Sequence, residues 1–204
     1  MKEKNTFEEF VSLNVEECIW DHFYTAAPLA IIGSRENNSF DLAPKHMLTP
    51  LGFSNYFGFV CTPRHLTYHN IKKEKKFTVS FVKPDQILLS SFAAFPRSKE
   101  NNYSKEVIDE LPTISTSNND NLFIADSYVL FDCSLFKIID GFDDYSIITG
   151  KIEQAFVHKD YKILSDIDPQ KHIYDNPLLV YIAQGRFAKI KETISYPYPK
   201  DFRR

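Results

Sequence analysis

Glycine is scarce in this chain of 204 residues: Gly33, Gly52, Gly58, Gly141, Gly150 and Gly185 are all it has. No pair has the spacing that GxGxxG or GxxxxGK requires, so the dinucleotide fingerprint and the P-loop are both absent. Any phosphate must be held by another device. Cysteine is sparse too. Cys18, Cys61 and Cys133 are odd in number and far apart, without a CxxC or zinc spacing, which points to a reducing compartment. Charge of one sign is lacking: 24 basic against 27 acidic residues give a net charge of −3, so no global basic bias supports nucleic-acid binding. The run Lys72-Lys73-Glu74-Lys75-Lys76 reads as a solvated helix face. No apolar run approaches the roughly 20 residues that span a bilayer. Met1 to Asn5 lack an apolar signal region, and the expectation is a soluble cytoplasmic protein without membrane partners.

Catalytic motifs are missing as well. No GxSxG elbow exists. His65 and His69 are four apart, but position 66 is Leu, so HExxH is not formed and no metal site is expected. Asp143-Asp144 falls in a predicted turn and reads as a turn former.

What the chain does have is apolar and aromatic mass: 43% hydrophobic residues, with 18 Phe and 11 Tyr. That suits one domain over 1–204 with a core of useful size, a polar elaboration at about 95–125 and an extended tail at 191–204. Asn14-Val15-Glu16-Glu17 has the form of a capping box and predicts a short helix to about Phe23. Ala27 to Gly33 is a compact apolar run suited to a buried strand, Glu36 to Ser39 its turn, and Phe40 to Ala43 the returning strand. Strands are predicted over Asn55–Cys61 and Phe77–Val82, with a helix over Leu66–Lys76 capped by Thr67. A helix over Pro84–Ala94 and a short one near 104–110 follow. Tyr128–Ile139 and Tyr145–His158 form a long antiparallel pair about a turn at Asp140–Asp144, and Leu178–Ala183 is a further strand. Five or six β segments with few helices between them suggest a small barrel.

Two segments could carry chemistry. A helix beginning near Thr67 would present free backbone N–H groups and the positive end of its dipole. Arg64, His65, Thr67 and Asn70 lie at that end, as does Thr62 one turn earlier. The arrangement makes a phosphate site without glycine, or an ordinary helix start with a surface arginine. The segment Asp41-Leu42-Ala43-Pro44-Lys45-His46 ends a strand in a loop that could lie against a flat ring, or is a plain strand exit. Cys61 sits at a strand end near both, as a pocket wall or a small buried hydrophobe.

Taken in order, these pieces resemble the flavin reductase-like family of FMN-binding split barrels. Ala27-Pro28-Leu29-Ala30-Ile31 is similar to its "aPxxi" strand and Asp41-Leu42-Ala43-Pro44 to its "nlaP" loop. Leu66-Thr67-Tyr68-His69-Asn70-Ile71 is similar to "dTxxNI", with Leu66 in place of the acidic residue. Phe77-Thr78-Val79-Ser80, Tyr128 to Cys133, Ile147 to Ile152 and Leu179-Val180-Tyr181 with Gly185-Arg186-Phe187 continue the resemblance over about 20–190. It implies a mainly β fold, a six-stranded antiparallel split β-barrel with short flanking helices. It also implies a homodimer with non-covalent FMN near the subunit interface, and hydride transfer from NADH or NADPH through flavin to a small-molecule acceptor. By position, Asp41 to His46 would meet the flavin ring and ribityl chain, and Arg64, His65, Thr67 and Asn70 the phosphate. A split-barrel carrier or sensor that binds flavin or haem without turnover is the alternative expectation.

Overall fold

The computed structural model describes residues 9–94, 108, 110–116 and 121–196. In chain order the strands are β1 (Ala27–Pro28), β2 (Ala30–Glu36), β3 (Ser39–Lys45), β4 (Leu48–Pro50), β5 (Tyr56–Cys61) and β6 (Lys76–Phe81). They continue with β7 (Thr113–Ser115), β8 (Leu122–Ile124), β9 (Val129–Phe142), β10 (Tyr145–Val157), β11 (Leu178–Ala183) and β12 (Arg186–Ile190). The helices are α1 (Leu66–Glu74), α2 (Ile87–Ala93) and α3 (Pro169–Asp175).

Seven strands form one antiparallel sheet in the order β3-β2-β6-β9-β10-β5-β4. Strands β3 and β4 are its two edges, yet only His46 and Met47 separate them in sequence. Such a link reaches about 10 Å at most, whereas a flat sheet of seven strands would hold its edges about 29 Å apart. The sheet therefore curls until its edges meet, and the β4–β5 ladder extends into the linker, where the Met47 carbonyl accepts from the Val60 N–H at 2.8 Å. The result is a split barrel: one strand more than the expected six in this sheet, with a separate three-stranded sheet β1-β11-β12 and a small β7-β8 pair beside it.

The barrel interior is aromatic. Phe57, Phe59, Phe77, Val79, Cys133 and Ile148 are buried there, and α1 plugs it with Tyr68 and Ile71. Ring pairs such as Phe59–Phe77 (centroids 5.5 Å, 72°) and Phe57–Phe131 (5.9 Å, 68°) meet edge to face, the arrangement that aromatic quadrupoles favour. Strand β2 is buried on both faces: Ala30 and Ile32 point into the barrel, and Ile31, with Leu29 just before the strand, into a second core with Leu42, Val82, Ala93, Ile124 and Leu179. The period-2 alternation of a strand makes this division, and it explains an apolar run without polar interruptions. Gly150 on β10 is required by packing, since a Cβ there would collide with the Phe77 ring.

Several expectations are corrected. Asn14 does form its local bond, accepting from the Glu16 N–H at 3.2 Å, but only a single 3-10 turn follows, at Ile19–Asp21. That segment buries no residue, and a short helix needs a packed face to persist. Thr67 is not the cap of α1; His65 holds that position in an extended conformation. Region 95–125 is not all loop among its described residues, because β7 and β8 pair there. Ile108 lies in a 3-10 turn, and the rest of the helix expected near 104–110 lies outside the described residues save Glu110. Strand β9 runs through Gly141 to Phe142, so the turn is tighter than expected, with Asp143 at φ 51°. The tail has no regular element over 191–196, and its remainder, like Met1 to Asn5, lies outside the described residues.

Candidate functional site

The turn after β5 leads into α1. Cys61 and Thr62 are buried, then Pro63, Arg64 and His65 emerge to solvent. The Thr62 hydroxyl accepts from the Arg64 N–H at 3.3 Å, and the Pro63 carbonyl accepts from His69 Nε2 at 2.7 Å, which ties the turn to the helix. No side chain caps α1, and its first turn carries no acidic residue. The N–H groups of Leu66 and Thr67 have no intrahelical partner, whereas the Tyr68 N–H donates to the His65 carbonyl at 3.1 Å. This end is thus a short positive surface, with the Arg64 guanidinium beside it. Arg64 pairs with Asp144 at the tip of the β9–β10 hairpin at 3.0 Å, both side chains being 69% exposed.

The other expected phosphate residues face inward. The Thr67 hydroxyl donates to Asp41 Oδ2 at 3.0 Å, and the two residues are only 2% and 4% exposed. The Asn70 amide donates to the Ser34 hydroxyl on β2 at 3.3 Å. Asp41, Thr67 and Asn70 therefore tie α1 to the β2–β3 hairpin. Asp41 and Leu42 are core residues, and the accessible part of the loop is Ala43 to His46.

At its end the imidazole of His46 stacks on Tyr181 of β11, with centroids 4.0 Å apart and planes at 19°. Burial, and then the neighbouring Lys45 ammonium, hold the His46 pKa below its ordinary 6.5, so the ring is neutral at pH 7. Burial raises the Cys61 thiol, while Lys45, bonded to it, works in the opposite direction. Cys61 is therefore a protonated residue of the barrel core, 2% exposed, rather than a nucleophile or a wall of the cleft,. Beside the stack opens a cleft of about 950 Å³ between segment 20–28, the β3–β4 junction at 46–48 and the β11–β12 turn.

The sequence did not assign Asp144, Tyr181, Trp20 or Arg186 to the site: Asp144 read as a turn former, and Tyr181 and Arg186 entered only through the resemblance. All four arrive by long-range folding, and no spacing rule joins them to the 41–70 block. No group of His, Cys, Asp and Glu suited to a metal exists among the described residues. No helix among them is long and apolar enough to cross a membrane.

A curled antiparallel sheet closed by a two-residue edge junction and plugged by one helix defines the split-barrel class. The model of the flavin reductase like domain matches residues 23–188, and the chain belongs to that family. Flavin-linked redox chemistry is the functional class in which the family stands. Among solved structures, an FMN-binding protein from Thermus thermophilus with bound p-hydroxybenzaldehyde superposes with a TM-score of 0.73 at 18% identity, covering 92% of this chain and 100% of the other. Flavoredoxin from Methanosarcina acetivorans gives 0.72 at 13% identity, covering 94% and 96%. A Streptomyces globisporus NADH:FAD oxidoreductase gives 0.64 at 11% identity, covering 81% and 87%. No curated protein matches the sequence.

Proposed function

We propose that the protein is an FMN-dependent oxidoreductase that takes hydride from NADH or NADPH and passes reducing equivalents to a small-molecule acceptor, working as a homodimer. The single observation that carries this reading is the uncapped start of α1, flanked by Arg64, at the end of a family-typical split barrel. Helix N-termini with unpartnered N–H groups and an adjacent cation favour a phosphate.

The residues fit FMN at both ends. Arg64, His65 and the N–H groups of Leu66 and Thr67 would hold the phosphate. Ala43 to His46 would lie along the ring, with Cys61 and Thr62 beneath. Bound FMN would supply the hydride-accepting ring, which is why the protein itself needs no catalytic acid or base. The chain's own part is to bind, orient and place charge. A neutral His46 brings no positive charge to a flavin edge, so Lys45 is the cation assigned to that task,. Thr67 and Asn70 act at one remove: by fastening α1 to β2 and β3 they fix the distance between the two ends of the site.

Large apolar side chains stand exposed on the β9–β10 hairpin, including Phe136, Phe142, Tyr145 and Phe156. Exposed apolar side chains spread along a hairpin suit a protein interface and support the dimer. The test is steady-state consumption of NADH and NADPH with and without added FMN. FMN-dependent consumption supports the reading; its absence with both nucleotides opposes it.

A further inference from the structure

The cleft of about 950 Å³ is of the size that takes a drug-sized ligand, and such sites combine flat apolar walls with a few polar anchors. Its walls have that form. One side is the His46–Tyr181 stack. Another is the segment bearing Trp20, Phe23 and Tyr24, which are 62%, 41% and 74% exposed. The 3-10 turn Ile19–Asp21 in this segment buries nothing, so Trp20 contributes no core. Trp20 and Phe23 lie 5.7 Å apart and form a bent aromatic wall. Flat rings lining both sides of one cleft favour a planar aromatic guest.

The polar anchor is Arg186, the first residue of β12, directed to the cleft by the β11–β12 turn in which Gly185 has φ 69°. The Arg186 side chain makes no hydrogen bond or ion pair with any described residue. The cleft's carboxylate, Asp21, comes from the facing segment and does not pair with it. His46 is held neutral by burial and Lys45, so the guanidinium is the fixed positive charge of the cleft. Its planar fork matches a carboxylate in two-point geometry.

We infer that this cleft binds planar aromatic carboxylates, stacked between the Trp20 segment and the His46–Tyr181 pair with the carboxylate on Arg186. The inference rests on the proposed function only in treating the ligand as the small molecule that shares the ring-binding end of the site; it concerns binding and not turnover.

Trp20 is the one tryptophan of the chain and lines the cleft, so its fluorescence reports occupancy directly. The experiment titrates the full-length protein, with and without FMN, with 4-hydroxybenzoate and with its uncharged match, 4-hydroxybenzamide. The expected result is a saturable change with the carboxylate and at least about tenfold weaker binding of the amide, the size of a charge-assisted contact. Arg186→Gln is expected to bring the two ligands to equal affinity, Arg186→Lys to keep part of the preference, and neither to alter FMN affinity. Equal affinity in the unaltered protein, no saturable response, or a preference that survives Arg186→Gln would each overturn the inference. Failure of the flavin reading is seen separately: carboxylate binding at Trp20 without any FMN binding opposes that reading and leaves the cleft's ligand class standing.

Discussion

Arg64 at the start of α1 and Asp144 at the tip of the β9–β10 hairpin form an ion pair 3.0 Å long, with both side chains 69% exposed. The proposed phosphate ligand is thus held by an internal carboxylate that must give way when an anion arrives. Exposed pairs are weak, about 0.2–1 kcal/mol, so the exchange is favourable for a doubly charged phosphate. Asp144→Asn is expected to tighten FMN binding by about 1.5- to 5-fold and to leave riboflavin, which lacks the phosphate, unchanged. Arg64→Ala is expected to weaken FMN by about tenfold or more, again sparing riboflavin. Equilibrium titration of the two flavins against each variant checks both.

The Thr67–Asp41 bond predicts a different kind of loss. Thr67→Val removes a donor from a buried carboxylate, and an under-satisfied buried acceptor costs about 1–3 kcal/mol. Denaturant unfolding should show that loss, while Thr67→Ser, which keeps the hydroxyl, should stay near the unaltered protein. Equal stability of all three would mean that the bond does not hold α1 to the hairpin.

Gly150 gives the sharpest steric prediction. A methyl group there meets the Phe77 ring and approaches Cys133 Cβ to 3.1 Å. Gly150→Ala should cost about 1–3 kcal/mol, as overpacking does, and the added change Phe77→Leu should recover part of it. Thermal unfolding of the single and double variants measures the coupling.

His46 sets a pH dependence. Its folded pKa lies below the ordinary 6.5 because of burial and then Lys45. The unfolded chain therefore binds the proton more tightly. The stability that follows is fully present above pH 6.5 and is lost as pH falls from there through the folded value. Unfolding curves between neutral and mildly acid pH should converge for the unaltered protein and His46→Gln on the acid side, after allowance for the common carboxylate titration. A pH profile identical in shape for the two proteins would contradict the assignment.

The parts legible in the sequence were those with local causes. The β2–β3 hairpin followed from one apolar run and the Asn37-Asn38 turn, and α1 from spacing between two strands. The family resemblance rested on the same pieces, and the family match bears it out. Strands β7 and β8 were not legible because each is three residues long and is held from outside: Thr78 donates to the Leu122 carbonyl at 2.6 Å, and Ser80 accepts from the Ile124 N–H at 3.1 Å. Helix α3 was missed, although its start signal stands in the sequence. Asp168 caps it, accepting from the Lys171 N–H at 2.8 Å, and Pro169 fills its first position, a recognised start signal. The site residues divided for a plain reason. Spacing puts Thr67 and Asn70 near Arg64 on the chain, but only the fold decides which faces of α1 meet β2 and β3.

The most direct test of the central claim is spectroscopic. Purified protein is titrated with FMN and then, without oxygen, with NADH or NADPH, while the visible flavin band is followed. Stoichiometric FMN binding, weakened by Arg64→Ala, and bleaching of the bound flavin by at least one nucleotide are expected. Absence of FMN binding would contradict the claim, and bound flavin that neither nucleotide bleaches would replace the oxidoreductase with a flavin carrier.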